Sequence, residues 1–190
     1  MLKVKLTITE SERRCGYSQE GQEFIEEDLC PQLCHELWNS IVEISDSEQK
    51  MQVTRQILEA LPEWFGIPES REEYIRDSVD QVFFAALEED KPIGFLCLKE
   101  TGKATAELAV MGVLKEYHRK GIGRKLFEKA KAVAKQTGYS FLQVKTVEMG
   151  RYEEYDRTNQ FYLSLGFKEL EVFPTLWDEW NPCQIYVMAI

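Results

Sequence analysis

A strand, a glycine-containing turn and an amphipathic helix follow one another between residues 104 and 136, and this succession constrains the fold more than any other part of the chain. Residues 104–114 are apolar enough for a strand, and the helix predicted over residues 123–136 carries an apolar stripe on one face. The stripe consists of Leu126, Phe127, Ala130, Val133 and Ala134. Gly138 ends the helix, and residues 141–147 follow as another strand. This strand–helix–strand unit predicts two parallel strands joined by a right-handed crossover.

The segments around this unit predict a mostly antiparallel sheet. Residues 81–88, 93–99 and 104–114 are joined by turns too short for helical crossovers, so they predict an antiparallel meander. Further elements are predicted as helices at residues 47–61, from Ser70 onward and at residues 155–165, and as closing strands at residues 168–173 and 184–190. The predicted fold class is therefore α/β (α+β), with a mixed, mostly antiparallel central sheet flanked by helices.

The opening of the chain is predicted as an extension over residues 1–40, ahead of a main domain over residues 41–190. Residues 1–9 alternate apolar and polar side chains as a half-buried strand does, and residues 31–42 have helical spacing. The alternative is that residues 1–9 are the first strand of the main domain, with residues 41–44 continuing a helix. The sequence does not decide between the two.

Composition and charge limit which partners this chain can bind. A net charge of −10 repels phosphate backbones, so no nucleic acid is expected. The charge favours a cationic small molecule or a basic protein segment; the alternative is that it only keeps the protein soluble. The longest apolar runs are strand-sized and the N-terminus lacks a signal-peptide pattern, so we expect a cytoplasmic protein with no membrane partner. Cys30, Cys34 and His35 make a poor zinc signature, so no metal is expected.

The turn at residues 117–124 offers a site for an anion. The first N–H groups of the helix that follows have no internal partner and lie at the positive end of the helix dipole. Gly121 and Gly123 let the backbone approach phosphate oxygens. Basic side chains flank them at Arg119, Lys120 and Arg124. The turn lacks the third glycine of a dinucleotide fold and the Gly-Lys-Ser/Thr of a P-loop. Two alternatives stay open: a basic patch that binds nucleic acid, and a solvated helix start that binds no ligand.

The segment His118-Arg-Lys-Gly121-Ile-Gly123 resembles motif A of the GNAT superfamily of N-acetyltransferases, whose pattern is Gln/Arg-x-x-Gly-x-Gly/Ala. Residues 161–167, Phe-Tyr-Leu-Ser-Leu-Gly-Phe, resemble the late helix of that family, and the order of strands from Gln81 agrees. The resemblance covers about residues 41–190. It implies a sheet splayed between the fourth and fifth core strands, acetyl-CoA as co-substrate and transfer of the acetyl group to an amine.

The resemblance also implies which residues bind the co-substrate. Pantetheine lies in the splayed wedge and pairs like an added strand with the edge formed by Met111, Gly112 and Val113, one of whose N–H groups polarises the thioester carbonyl. The implied residues of the pyrophosphate turn are His118, Arg119, Lys120, Gly121, Ile122, Gly123 and Arg124. Tyr155 and Asn159 on the late helix complete the co-substrate site, and Tyr155 stands where many family members have Asn.

Two side chains are implied in catalysis. Glu107 lies eleven residues before His118, the spacing at which some family members carry a general base; the alternative is that it faces solvent or pairs with a lysine. Tyr162 matches the late-helix tyrosine whose hydroxyl protonates the departing thiolate; the alternative is a packed aromatic side chain. No cysteine lies in these motifs, so we expect direct transfer without an acyl-enzyme, with Cys183 as the residue to test.

Two loops rich in tryptophan and carboxylate predict the acceptor pocket. Trp64 and Phe65 come from the first loop, and Trp177 and Glu179 come from the second. Such loops suit a cation with an apolar body, so the predicted acceptor is a primary amine of a small cationic molecule; the alternative is that the loop aromatics only pack against the protein. Two other functions stay open, a CoA-binding sensor or interaction module without catalysis and N-acetylation of a protein. The oligomeric state, monomer or homodimer, also stays open.

Overall fold

A computed structural model describes residues 40–190, which form one seven-stranded sheet and the helices that pack on it. The strands are β1 (Ser40–Ile44), β2 (Val82–Glu88), β3 (Lys91–Gly102), β4 (Thr105–Val113), β5 (Phe141–Val147), β6 (Lys168–Phe173) and β7 (Cys183–Ala189). The α-helices are α1 (Ser47–Glu59), α2 (Pro62–Phe65), α3 (Pro68–Asp77), α4 (Ile122–Thr137) and α5 (Glu153–Leu165), with 3-10 turns at Ser78–Asp80 and Lys115–Tyr117. No helix in this part of the chain is long and apolar enough to cross a membrane.

The strands lie in the order β1-β2-β3-β4-β5-β7-β6. Every neighbouring pair is antiparallel except β4 and β5, which are parallel because α4 carries the chain back across the sheet between them. The predicted fold class, a mixed and mostly antiparallel sheet flanked by helices, is therefore confirmed.

Two predictions about the start of the main domain are wrong. Residues 40–44 form β1, which pairs antiparallel with β2. The helix predicted over residues 31–42 is therefore wrong at residues 40–42. The alternative that residues 41–44 continue a helix is wrong as well. Two physical reasons favour the strand: three of its five residues are β-branched, and the edge of β2 offers a ladder of hydrogen bonds. The other predictions for residues 1–39, including the Cys30, Cys34 and His35 group, lie outside the described residues.

Two apolar clusters hold the helices on opposite faces of the sheet, and alternate residues of β2 belong to alternate clusters. On one face Phe83 and Phe95 stack with ring centroids 5.3 Å apart and pack with α1. On the other face Leu126 and Phe127 of α4 are fully buried. Each such side chain contributes roughly 1.5–3 kcal/mol through burial, so the sheet is a firm frame for the loops at its edge.

Candidate active site

Strands β4 and β5 separate soon after they begin. They pair only through Thr105 with Phe141, Ala106 with Leu142 and Glu107 with Gln143. A register shift against β3 leaves Ala109 of β4 without a partner there, and such a bulge bends a strand. Because β5 stays paired with β7 as far as Val147, a wedge opens with β4 residues 108–113 on one side and β5 residues 144–147 on the other.

Helix α4 begins beside this wedge with an uncapped N-terminus. Gly121 is its N-cap residue, with φ 82° and ψ −1°, and no side chain caps the first turn. The first turn also contains no acidic residue. An alanine in this left-handed conformation costs about 1–2 kcal/mol, so the turn depends on glycine at this position. The turn therefore presents backbone donors at the positive end of the helix dipole, an arrangement suited to phosphate.

The two other glycines of the predicted site bring elements into close contact. A Cβ on Gly123 would lie 3.0 Å from Cζ of Phe161, so this glycine lets α4 approach α5. A Cβ on Gly112 would lie 2.8 Å from Cγ2 of Ile57, so this glycine lets β4 lie against α1. Both residues line the cleft described below and fix the position of its walls.

The basic side chains of the turn do not all reach the same place. Arg119 is exposed, has φ 62° and lines the cleft, as does Arg124, whose Nη2 donates to the carbonyl oxygen of Ser164 at 3.3 Å. Lys120 instead places Nζ 5.0 Å from the ring centroid of Tyr117 and does not line the cleft. The structure thus brings Arg119 and Arg124, but not Lys120, to the candidate anion site.

His118 uses both its amide and its ring within the protein. Its backbone N–H donates to the carbonyl oxygen of Lys115 at 3.0 Å, which closes the 3-10 turn. Its Nε2 lies 2.7 Å from the carbonyl oxygen of Val113, at the end of β4. The ring also packs edge-on against Trp64, with centroids 5.9 Å apart. Both the amide and Nε2 of His118 therefore have partners within the protein, and its contact with the co-substrate stays a prediction.

A single cleft of about 1520 Å³ runs from the turn, along the wedge, to α2 and α3. The implied co-substrate residues that line it are Met111, Gly112, Val113, His118, Arg119, Gly121, Ile122, Gly123, Arg124 and Tyr155. It is also lined by Glu107 and Tyr162, and by Trp64, Phe65 and Trp177 from the predicted acceptor loops. Pockets for one small ligand measure roughly 300–1,000 Å³, so this cleft has room for two ligands side by side.

Asn159 and Glu179 lie outside the cleft lining. Asn159 is fully buried, and its Nδ2 donates to the carbonyl oxygens of Val147 at 3.0 Å and Tyr155 at 2.8 Å. It therefore fastens α5 to the end of β5. Glu179 is exposed in the loop between β6 and β7. The structure does not bring these two residues to the ligands that the sequence assigned to them.

Glu107 lies at the closed end of the wedge and is only 9 % exposed, so it does not face solvent. Its Oε2 accepts hydrogen bonds of 2.7 Å from Lys145 Nζ and from Gln143 Nε2, both on β5. Pairing with a lysine was one of the alternatives, and the ion pair confirms it. Within residues 40–190 no donor contacts Oε1, so one carboxylate oxygen is left for a ligand.

Tyr162 packs as an aromatic residue and also lines the cleft. It is 6 % exposed, and its ring lies 6.0 Å from that of Phe167 and 6.4 Å from that of Tyr186. Burial raises the pKa of its phenol far above the usual value, with smaller contributions from Tyr74 and Tyr155. The hydroxyl therefore stays protonated at any physiological pH and can act as a hydrogen-bond donor.

A pair of hydrogen bonds fastens α2 to α5 across the cleft, and we refer to Trp64, Tyr155 and Thr158 as the clasp. The Tyr155 hydroxyl donates to the carbonyl oxygen of Trp64 at 2.8 Å, and Trp64 Nε1 donates to Thr158 Oγ1 at 3.1 Å. Burial raises the pKa of Tyr155 to about 12, so this phenol also keeps its proton. The hydroxyl of Tyr155 is thus occupied by α2.

Cys183 is buried at the start of β7. Burial raises the pKa of its thiol to about 11, although Lys145 opposes that shift. A thiol with so high a pKa is almost entirely protonated at neutral pH, and the thiolate is the nucleophilic form. The expected direct transfer without an acyl-enzyme therefore agrees with the chemistry of this cysteine.

Among the cleft-lining residues that sequence reasoning did not single out are Arg71 and Tyr74 of α3 and Lys145 of β5. Tyr74 packs edge-on against Phe65 with centroids 5.9 Å apart, and its phenol pKa is raised by burial and then by Glu107. Lys145 carries a sequence signal, because residues 143 and 145 lie on the same face of the strand predicted over residues 141–147. The two α3 residues carried no signal, because helical spacing alone does not say that a polar face lines a cleft.

Comparisons with known proteins agree with this geometry. Residues 79–169 match a family model described as an acetyltransferase (GNAT) domain. A curated relative from Chlorobaculum tepidum, named an uncharacterized N-acetyltransferase, is 33 % identical over 114 residues, which cover 58 % of this chain and 64 % of the relative. A structure from Desulfovibrio desulfuricans, assigned to the GNAT family, superposes with a TM-score of 0.69 at 20 % identity and covers 80 % of this chain and 98 % of its own. A GNAT family acetyltransferase from Elizabethkingia anophelis with acetyl-CoA bound superposes with a TM-score of 0.60 at 16 % identity, covering 80 % and 99 %.

The splayed strands, the uncapped glycine turn and the family match define the class: residues 79–169 carry a GNAT acetyltransferase domain. The resemblance predicted from the segment His118–Gly123 and from residues 161–167 is thereby confirmed.

Proposed function

We propose that this chain transfers an acetyl group from acetyl-CoA directly to a primary amine of a small molecule. The observation that supports this most strongly is that one cleft contains the uncapped N-terminus of α4, the edge of β4, Glu107 and Tyr162. A diphosphate, an extended amide chain and a thioester follow one another along acetyl-CoA, and the cleft offers an anion site, a strand edge and two proton-transfer groups in the same order.

In this proposal the turn and the strand edge bind the co-substrate. The pyrophosphate lies against the backbone amides that follow Gly121, with Arg119 and Arg124 adding charge. Pantetheine extends along Met111, Gly112 and Val113, and one of their N–H groups polarises the thioester carbonyl. Solved GNAT-type neighbours with acetyl-CoA or coenzyme A bound support this choice of co-substrate.

Glu107 and Tyr162 carry the proton transfers. Oε1 of Glu107 takes a proton from the acceptor ammonium, because only a neutral amine can attack a thioester. The amine nitrogen bonds to the acetyl carbon and the carbon–sulfur bond breaks. The Tyr162 hydroxyl gives its proton to the departing sulfur and is reprotonated by the second proton that the former ammonium nitrogen loses as the amide forms, while the proton held by Glu107 leaves to solvent. The products are an N-acetyl amide and CoA.

Acidic residues at the acceptor end of the cleft favour a protonated amine. Glu73 and Asp77 of α3 and Asp178 of the loop between β6 and β7 line the cleft beside Trp177. Together with a net charge of −10 they give a field that attracts an ammonium group. The small-molecule acceptor, the cytoplasmic location and the domain boundary at residue 40 are parts of the same proposal.

The experiment is a thiol-release assay with acetyl-CoA and a panel of polyamines, aminoglycosides, amino acids and basic peptides. We expect release above the hydrolysis background with at least one small amine, and calorimetric binding of both acetyl-CoA and desulfo-CoA. Binding without release for any amine would favour the non-catalytic CoA-binding module, and release with basic peptides alone would favour a protein acetyltransferase. Absence of heat with either CoA ligand would overturn the proposal.

Glu107→Gln separates the enzyme from the binding module. The amide keeps the shape of Glu107 but cannot accept the acceptor's proton, so we expect turnover to fall by about 10²-fold while acetyl-CoA binding is retained. The control is Glu148→Gln, which neutralises a carboxylate that pairs with Arg151 on the surface and leaves the cleft lining unchanged. Equal turnover in Glu107→Gln and wild type would remove the assigned base.

A further inference from the structure

Arg71 on α3 places a positive charge in the acceptor part of the cleft, and no carboxylate of residues 40–190 forms an ion pair with it. Its Nη1 reaches only the carbonyl oxygen of Phe65, at a long 3.4 Å. Its Nε is shielded from solvent and has no hydrogen-bond partner. The neighbouring carboxylate of Glu72 is taken by Arg55, at 2.5 and 2.8 Å.

This arrangement is costly unless an anion completes it. A guanidinium carries five N–H donors, and a partly buried one that satisfies so few of them loses hydration without compensation. Among the described arginines, Arg55, Arg151 and Arg157 form ion pairs, whereas Arg76, Arg119 and Arg124, like Arg71, form none. Arg71 differs from the other unpaired arginines because its Nε is shielded from solvent without a hydrogen-bond partner, in a side chain that lines the cleft. A ligand with an acidic group would supply it.

The position of Arg71 on α3 indicates where the acidic group of the ligand lies. Arg71, Tyr74 and Asp77 follow one another at a spacing of three residues, so they lie along one face of the helix, and all three line the cleft. Tyr74 lines the same cleft as Glu107, and the pKa of its phenol is raised by burial and then by the charge of Glu107. Arg71 precedes Tyr74 by three residues, about 4.5 Å along the helix axis.

The phosphates of the co-substrate do not explain Arg71. The anion site at the start of α4 has its own charges, Arg119 and Arg124, and a backbone turn that suits phosphate. Arg71 instead reaches back to Phe65, whose ring packs against Tyr74 in the predicted acceptor loop. The surroundings of Arg71 are therefore those of the acceptor, the second ligand of the cleft.

We infer that the acceptor carries a carboxylate close to its primary amine, as amino acids and short peptides do, and that Arg71 binds this carboxylate while the amine lies at Glu107. A guanidinium binds a carboxylate through two parallel hydrogen bonds, which fixes the orientation of the acceptor as well as its affinity. The ligand is then zwitterionic rather than purely cationic. This inference rests on the proposed acetyl transfer.

The test compares acceptors that differ only in the anionic group. Free amino acids, their carboxamides and short peptides with free or amidated C-termini are assayed with acetyl-CoA, and their binding to the protein with desulfo-CoA is followed by thermal shift. We expect free carboxylates to be preferred over the matched amides by about 10-fold or more in kcat/KM. The comparison of amino acids with peptides distinguishes the two sources of the carboxylate.

Arg71→Gln and Arg71→Lys assign the preference to this side chain. We expect Arg71→Gln to raise KM for the carboxylate acceptor by about 10- to 100-fold, with little change for the amide or for acetyl-CoA, and Arg71→Lys to restore part of it. Arg76→Gln removes the same charge from the same helix outside the cleft lining and should leave all these values unchanged.

Three outcomes would overturn the inference. Amides could serve as well as acids, Arg71→Gln could weaken both acceptors equally, or no carboxylate of the panel could bind with desulfo-CoA present. Failure of the proposed function gives a different result, because no amine of any kind then releases CoA. The preference for binding carboxylates over their matched amides can still be measured by thermal shift in that case. Arg71→Lys keeps the test valid if Arg71→Gln does not fold.

Discussion

The hydroxyl of Tyr155 on α5 donates a 2.8 Å hydrogen bond to the main-chain carbonyl oxygen of Trp64 on α2, across 91 residues of sequence. Trp64 in turn packs edge-on against His118, whose ring lies on the carbonyl at the end of β4. The clasp therefore connects the acceptor side of the cleft to the turn that we assign to the pyrophosphate.

Tyr155→Phe should loosen the clasp without removing the ring. One hydrogen bond is lost, so we expect the free energy of unfolding to fall by about 1 kcal/mol. Because only the Trp64–Thr158 bond of the clasp then joins α2 to α5, KM for the acceptor should rise more than KM for acetyl-CoA. Chemical denaturation and steady-state kinetics measure the two effects. Tyr152→Phe is the matched control, since Tyr152 is exposed and lies outside the cleft lining.

Tyr162→Phe tests the hydroxyl that we propose as the proton donor to the departing sulfur. The phenyl ring keeps the packing against Phe167, so we expect folding and acetyl-CoA affinity to be retained while kcat falls by on the order of 10²-fold. Tyr186→Phe removes a hydroxyl from the same aromatic cluster but outside the cleft lining, and should leave kcat unchanged. Equal kcat in Tyr162→Phe and wild type would show that Tyr162 is only a packed aromatic residue.

Gly121→Ala tests the turn before α4. A Cβ there meets no atom within 4 Å, so the change acts through the left-handed backbone and should cost about 1–2 kcal/mol of stability. We also expect acetyl-CoA affinity, measured by calorimetry, to fall by at least about 10-fold as the amides turn away. Gly138→Ala carries the same strain at the other end of α4, with φ 97° and no atom within 4 Å, but should leave affinity unchanged. Similar losses of affinity in both variants would contradict the assigned turn.

The raised pKa of Tyr155, about 12, predicts a loss of stability in alkaline solution. An unfolded tyrosine ionises near pH 10, whereas the folded one keeps its proton up to about pH 12. Unfolding therefore releases a proton between these pH values, so the contribution is complete below pH 10 and is lost as pH rises through 12. The free energy of unfolding should fall by up to about 1.4 kcal/mol per pH unit from this residue. Urea titrations of wild type and Tyr155→Phe should show a shallower slope in the variant.

The parts of the fold that the sequence predicted are those with a local cause. The apolar stripe of α4, the glycine after it and the alternation of the flanking strands each lie within about fifteen residues, and these elements appear where they were expected. β1 was missed because five residues next to a helix-like segment carry no period of their own; only the open edge of β2 makes them a strand.

The candidate site likewise contains residues that local motifs predict and residues that only tertiary packing brings together. The glycine turn and Tyr162 were found because they belong to contiguous motifs. The contact between Tyr155 and Trp64 and the entry of Arg71 into the cleft depend on how α2 and α3 lie over the sheet, which no local pattern contains. Asn159 shares a helix face with Tyr155, but its burial against Val147 follows from the packing of α5 on β5.

The short contact between β4 and β5 makes the sheet two units joined by a narrow seam of three residue pairs, with four strands on one side and three on the other. A molecule that hydrogen-bonds along the open edge lengthens that seam, so it acts as an added structural part of the protein. Melting temperature should then follow the concentration of such a molecule, and the strands beside the seam should gain the most protection from hydrogen exchange.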